Sequence, residues 1–157
     1  MLSQLQKANM YLAFFGFFKV PFIWLSRPKI VQLDSSRVEV KIPLKRRSKN
    51  HLNSMYFGVL CLGADVAGGF MAMSKAQARG EKISLAFKSV EGEFLKRPEA
   101  DVHFHCEDGA LIDQMLDETI ASGERVNQAV KITATSPTLH GDEPMAVFYL
   151  TLSLKRV

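Results

Sequence analysis

One stretch limits the architecture more than any other. From Ser54 to Arg79 the chain runs SMYFGVLCLGADVAGGFMAMSKAQAR, apolar or small at most positions and carrying a single acid, Asp65. The length suits a helix and not a strand, which averages about 5–6 residues. Asn53 or Ser54 is placed to cap it. On such a helix residues three and four apart share a face, so Asp65 aligns with Gly58, Cys61, Leu62, Gly68, Gly69 and Ala72. Gly68 and Gly69 in a helix interior each cost roughly 1 kcal/mol relative to alanine, which points to a close approach by another backbone or by a thin extended ligand. A carboxylate buried among apolar neighbours is costly and its pKa is driven upward. Either Asp65 turns to solvent or caps a neighbouring backbone while the glycines serve packing alone, or it has a partner or a chemical task.

Most of the remaining chain has the period of strands. Val38, Val40, Ile42 and Leu44 alternate with Arg37, Glu39, Lys41 and Pro43, and KIVQLD, with DSS as the turn, makes a hairpin partner. The period returns in Ile83, Leu85, Phe87 and Ser89, and again in Ala100, Val102, Phe104 and Cys106, with EGEFLKRPE expected as a turn or bulge between them. LIDQMLDETIAS predicts a short helix closed by Gly123. Two long strands, about Glu124 to Ser136 and about Met145 to Lys155, finish the chain around the turn-rich PTLHGDEP. The last, MAVFYLTLSL, is apolar on both faces and belongs inside a sheet with a layer on each side. Strands in runs, without regular βα alternation, predict an antiparallel sheet with segregated helices, an α+β class. A chain of 157 residues suits one domain, 1–157.

Residues 1–27 read as an apolar extension of that domain. MYLAFFGFFKVPFIWL, Met10 to Leu25, is interrupted by Lys19 and Pro21. It falls short of the roughly 20 apolar residues that span a bilayer, and no small-residue cleavage site follows it. The expectation is a helix from Leu2 to about Phe18, packed on the core or on a partner subunit. Phe14, Phe15, Phe17, Phe18, Phe22 and Trp24 beside Lys19 and Arg27 also resemble an interfacial anchor, which allows peripheral membrane contact. Cys61 and Cys106 have neither CxxC spacing nor a His at ligand distance, and are expected as reduced core residues of a cytoplasmic protein. A formal charge of +4 is a mild basic excess, and with no aromatics interleaved in a basic stripe it argues against a nucleic-acid binder. His103 and His105 share a strand face with Asp101, too sparse a set to predict a metal site.

The segment NHLNSMYFGVLCLGAD, Asn50 to Asp65, resembles the signature of the hotdog-fold thioesterases of the phenylacetate-pathway type. That signature reads N-x-x-G-x-x-H-G-G, then six residues, then D. Asn50 falls on the Asn, Gly58 on the final Gly and Asp65 on the acid, without a gap. Asn53, Tyr56 and Phe57 stand in place of the first Gly, the His and the Gly after it. IPLKRRSKNHLNSMYFG further resembles a branch of the superfamily in which an aromatic replaces the His.

The resemblance implies a long central helix wrapped by an antiparallel sheet over almost the whole chain. It implies a homodimer, or a tetramer of paired dimers, and a fatty or aromatic acyl-CoA ligand, with coenzyme A part of the substrate and no other cofactor. Asp65 would be base or nucleophile, and Asn50 of the partner subunit would orient water or substrate. The amides of Phe57 and Gly58 would polarise the thioester carbonyl, because amides at a helix start have no partner within the helix. Ser89 falls near a position that holds the water in some relatives. Tyr56, Cys61, Gly68 and Gly69 would line the substrate, and Lys45, Arg46 and Arg47 would steer the CoA phosphates. The aromatics at 56 and 57 and the apolar N-terminus keep a second reading open: a non-catalytic hotdog module binding fatty acyl groups or lipids, its N-terminal helix covering the tunnel or touching a membrane. A dehydratase, also a hotdog activity, would need a His and Asp arrangement that is not visible.

Overall fold

The computed structural model covers all 157 residues. Its centre is α3, Phe57–Ala78, apolar on nearly every side and buried along most of its length. It is the one helix long and apolar enough to cross a bilayer, but a sheet occupies the space around it. Six strands supply that sheet: β1 (Lys29–Leu33), β2 (Val38–Ile42), β3 (Ile83–Phe94), β4 (Val102–Cys106), β5 (Val126–Thr135) and β6 (Pro144–Arg156). They are ordered β1-β2-β4-β5-β6-β3, and every neighbouring pair is antiparallel. The remaining helices are α1 (Gln4–Phe18), α2 (Pro21–Ser26), α4 (Gly109–Ser122) and the single turn α5 (Pro137–His140). This is the α+β hotdog arrangement, with an N-terminal helix added.

Strand alternation sends one side chain in two against the helix. Val38, Val40 and Ile42 of β2 and Val102, Phe104 and Cys106 of β4 are buried, while Glu39, Lys41, His103 and His105 face outward. Gly63 is where helix and sheet come closest: a Cβ built there would lie 2.2–2.5 Å from the edge of the Phe104 ring, below any real contact distance. Gly68 faces Val130, Ile132 and Leu150, and a Cβ at that position would sit at ordinary contact distances of 3.5–3.6 Å. The closeness that the glycines imply therefore resides at Gly63, and Gly68 belongs to the sheet side of the helix.

The N-terminal extension is part of the core. Ala8, Leu12 and Ile23 join the same hydrophobic cluster as α3 and the sheet. Asn9 fastens α1 to the edge strand β1: its Nδ2 donates to the Ile30 carbonyl at 2.8 Å, and its Oδ1 accepts from the Ile30 amide at 2.8 Å. One carboxamide thus satisfies both backbone groups of an edge residue that is fully buried, which is one way natural sheets close an edge.

Three expectations need correcting. α3 starts at Phe57, with Tyr56 as its cap residue and no side-chain cap. Asn53 is held in a left-handed turn (φ 59°), and the buried Ser54 donates to Asn50 Oδ1 instead. EGEFLKRPE is not a turn over its first half: β3 continues to Phe94, paired with β6 as far as Ala146, because a thirteen-residue partner strand offers ladder bonds over that length. Its one irregularity is a bulge between Phe87 and Ser89. α1 ends at Phe18 as expected, and the short second helix α2, beginning at Pro21, is an addition to that reading. Finally, β6 is an interior strand, but only its inward face is covered within one chain, and Tyr149 on the other is exposed.

Two consequences are measurable by denaturant unfolding. Gly63→Ala should destabilise by about 1–3 kcal/mol through overpacking against Phe104, whereas Gly68→Ala should be neutral or stabilising by up to about 1 kcal/mol from helix propensity. Asn9→Ala should cost about 1–3 kcal/mol, since it orphans a buried backbone N–H and its carbonyl.

Candidate active site

Asp65 lies on the flank of α3 that the sheet leaves uncovered, and the N-terminal hairpin covers it instead. A cavity of about 310 Å³ opens there, with Asp65, Val66, Gly69, Phe70 and Met73 as its α3 wall. Tyr11, Leu12, Phe15, Val20 and Ile23 form the hairpin wall, and Leu85 and Phe87 close the side toward β3. The space is at the small end of ligand pockets, about 300–1,000 Å³, and Asp65 is the one carboxylate in it.

Its electrostatics follow from that setting. No cation pairs with Asp65 and no donor reaches it, so burial alone acts on the group and pushes its carboxyl up to about 6. At neutral pH the side chain is still mostly ionised, as a poorly solvated carboxylate facing an apolar space. That is the condition of a competent base or nucleophile. Cys61, one turn earlier on α3, has its thiol pushed up by burial and stays protonated, which removes it as a nucleophile.

Of the residues that the resemblance assigns to the site, the structure brings only Gly69 into the cavity with Asp65. A Cβ on Gly69 would lie 3.7 Å from an Asp65 carboxyl oxygen and 3.4 Å from the Phe87 ring, so the glycine keeps the cavity open beside the acid. Cys61 and Gly68 lie outside it. Ser89 also lies outside it: after the bulge that follows Phe87, the Ser89 hydroxyl donates to Thr151 Oγ1 at 2.8 Å on the outer face of the sheet. Sequence reasoning missed Phe87 and the hairpin residues Tyr11 and Phe15. Periodicity within one helix cannot show which other element lies across from it.

The loop before α3 forms a second group. Asn50 Oδ1 accepts from the Leu52 amide (2.9 Å), the Ser54 amide (3.2 Å) and the Ser54 hydroxyl (3.1 Å), which commits its oxygen to the loop and leaves its Nδ2 free. The amides of Phe57 and Gly58 donate to no group in the chain, as the uncapped helix start requires. Tyr56 and Phe57 are exposed and meet edge to face at 4.9 Å. The Tyr56 ring stands over Gly58, 2.5 Å from where a Cβ would be, while Phe57 leans toward Phe94 of β3 at 6.3 Å. Lys45, Arg46 and Arg47 are exposed on the preceding loop, and Arg47 reaches the Leu25 carbonyl of α2 at 3.4 Å.

Asp65 lies eight positions beyond Phe57 along the helix, a rise of about 12 Å. One chain therefore keeps the free amides apart from the acid, and Asn50 does not line the Asp65 cavity. The outward histidines are otherwise engaged: His103 Nδ1 with Glu39 at 2.5 Å and His105 Nε2 with Thr135 at 3.0 Å, while Asp101 accepts from the Leu44 amide and pairs with Lys41.

Several solved structures share this fold. A Pseudomonas aeruginosa protein of unknown function called a "probable thioesterase" superposes with a TM-score of 0.80 at 19% identity, over 100% of this chain and 99% of that one. A Chlorobaculum tepidum protein of unknown function gives 0.83 at 14% identity, over 97% and 96%. A Haemophilus influenzae thioesterase gives 0.68 at 12% identity, over 99% and 93%. At these identities the likeness establishes the hotdog fold. No curated protein matches the chain. A family model described as a domain of unknown function, DUF4442, matches residues 9–147, and the chain belongs to that family.

Proposed function

We propose that this protein is an acyl-CoA thioesterase-like hydrolase that works as a homodimer, with the acyl group in the cavity beside Asp65. The observation that carries the proposal is an unpaired carboxylate, held near pKa 6 by burial, in an otherwise apolar space open to an acyl chain. The chemistry is acyl transfer to water. Asp65 takes a proton from water as the oxygen adds to the thioester carbonyl, the negative charge collects on the carbonyl oxygen, and collapse expels the CoA thiolate, which recovers the proton.

The second copy follows from two features. β3 ends the sheet with an unpaired edge twelve residues long, and Phe87, Val90, Phe94 and Leu95 are exposed on or beside it. Such an edge invites another strand. Pairing there would let Asn50 of the partner subunit and the free amides at the start of its α3 approach Asp65; within one chain those amides lie about 12 Å from the acid, at about 1.5 Å of helix rise per residue. Lys45, Arg46 and Arg47 would then meet the CoA phosphates at the mouth, and Tyr56 and Phe57 would flank the thioester. Ser89, on the far face of its strand, takes no part. The thioesterase names of the Pseudomonas and Haemophilus proteins are in keeping with this reading.

Thiol release from a series of acyl-CoAs tests it. The apolar lining predicts preference for aliphatic or aromatic acyl groups over acetyl, and Asp65→Asn should lower kcat/KM by at least about 100-fold. Equal rates for the two proteins would remove Asp65 from catalysis. A fatty acid retained by the native protein with no turnover of any thioester would favour the non-catalytic binding module.

The same substitution makes an independent prediction about stability. Because folding raises the Asp65 pKa from 3.8 to about 6, the cost of keeping it ionised is fully present above pH 6 and vanishes below about pH 4. Asp65→Asn should therefore stabilise the fold at pH 7–8 by on the order of 2 kcal/mol, with the advantage fading between pH 6 and 4. Thermal unfolding across that range reads it directly, and a constant difference at all pH values would mean that the carboxylate is hydrated.

A further inference from the structure

The outward face of the N-terminal hairpin is not used by any of the chemistry above. Phe14, Phe17 and Phe18 are 61%, 54% and 62% exposed, far more than buried core aromatics. They form one continuous patch: Phe14 to Phe18 at 4.5 Å, Phe18 to Phe17 at 4.9 Å, and Phe17 to Trp24 at 5.4 Å. The Arg27 guanidinium closes the series, 4.3 Å from the Trp24 ring centroid. A contiguous apolar surface of this kind on a folded protein marks an interaction site.

The charges around it identify the occupant. Residues 1–33 contain Lys7, Lys19, Arg27 and Lys29 and no acid, so the 16 other basic residues cancel the 16 acidic ones and the whole formal charge of +4 belongs to this segment. None of these four cations is in a salt bridge. A second copy of the same face would set Lys19 and Arg27 against their own counterparts with no acid to compensate, since a two-fold contact is self-complementary. A bilayer with anionic headgroups offers an apolar layer for the rings and phosphates for the cations together.

We propose that the α1–α2 hairpin docks this protein on an anionic membrane surface, with Phe14, Phe17, Phe18 and Trp24 entering the headgroup boundary and Lys19 and Arg27 pairing with lipid phosphates. The proposal goes beyond the hydrolase reading and stands whether or not Asp65 is catalytic. It also fits the position of the cavity, because Tyr11 and Val20 of the same hairpin are both exposed and line it, so an acyl chain could enter from lipid.

Trp24, the single tryptophan, makes the test direct. The full chain is mixed with vesicles of phosphatidylcholine alone, or of phosphatidylcholine with phosphatidylglycerol, and followed by co-sedimentation and Trp24 emission. The expected result is binding to the phosphatidylglycerol vesicles with a shift of emission to shorter wavelength, weakened by added salt. Lys19→Gln and Arg27→Gln should each lower the affinity about fivefold, the equivalent of about 1 kcal/mol per cation. Phe17→Ser with Phe18→Ser should abolish binding while leaving the melting temperature unchanged. Absence of binding and of any emission change, or binding indifferent to the double serine variant, overturns the proposal. So does a native oligomer that the serine variant converts to monomer without either protein binding vesicles, which would assign the face to a second copy.

Discussion

The closeness of Gly63 to the ring of Phe104 sets the depth at which α3 lies in its sheet, and the other features are arranged around that depth. A helix of apolar residues gains its stability from burial, roughly 25 cal/mol for each Å² removed from water, so pressing it onto the sheet is favourable until side chains collide. With no Cβ at 63, the bulkiest inward residue of β4 can stand beneath the helix axis, and the neighbouring strands close in on either side. Two flanks then remain outside the curl of the sheet. One is covered by α4, fastened to the end of α3 by Lys75 and Arg79 on Asp113 and Asp117. The other is covered by α1 and α2, less completely, and the gap beneath them is the Asp65 cavity.

That placement explains how an acid can persist in an apolar helix. Were Asp65 on the sheet side, next to Gly68, it would face Val130, Ile132 and Leu150 with no route to water. On the hairpin side it borders a cavity that solvent or a ligand can enter, and the cost falls to the partial desolvation that raises its pKa. The residual cost is a reason to expect a task, because a neutral amide of the same shape would fold more easily there.

Much of the fold was legible because two periodicities carry it. β2 and β4 bury every second residue as their alternation predicts, and Gly123 ends α4 with φ 71°, the left-handed conformation that glycine accepts readily. The errors arose where partners outside the segment decide. The stretch Val90–Glu91–Gly92–Glu93–Phe94 does alternate, but its charges and glycine resemble a turn until β6 lies alongside. The bulge between Phe87 and Ser89, which sets the face that Ser89 takes, is likewise absent from the alternation. Asp65 was recognised as exceptional from its neighbours alone, yet the wall opposite it, Tyr11 and Phe15, comes from residues some fifty positions earlier. Spacing within a helix contains no trace of that.

The aromatic pair at the head of α3 also looks different once placed. In sequence, Phe57 stands where the resembled signature has a glycine, so its ring is the bulk added nearest the amides at the helix start. In the fold its ring leans away toward Phe94, and it is Tyr56 that stands over Gly58. The polarising groups, if used, are backbone amides, and these survive any side-chain replacement except proline. Obstruction is therefore a matter of one exposed phenol on a rotatable bond, at a position where the helix start is uncapped and two N–H groups have no partner. A side chain that can swing aside governs access more than chemistry, so under the proposed hydrolase reading the substitutions at 56 and 57 would bear on which ligands enter before they bear on whether a carbonyl could be polarised.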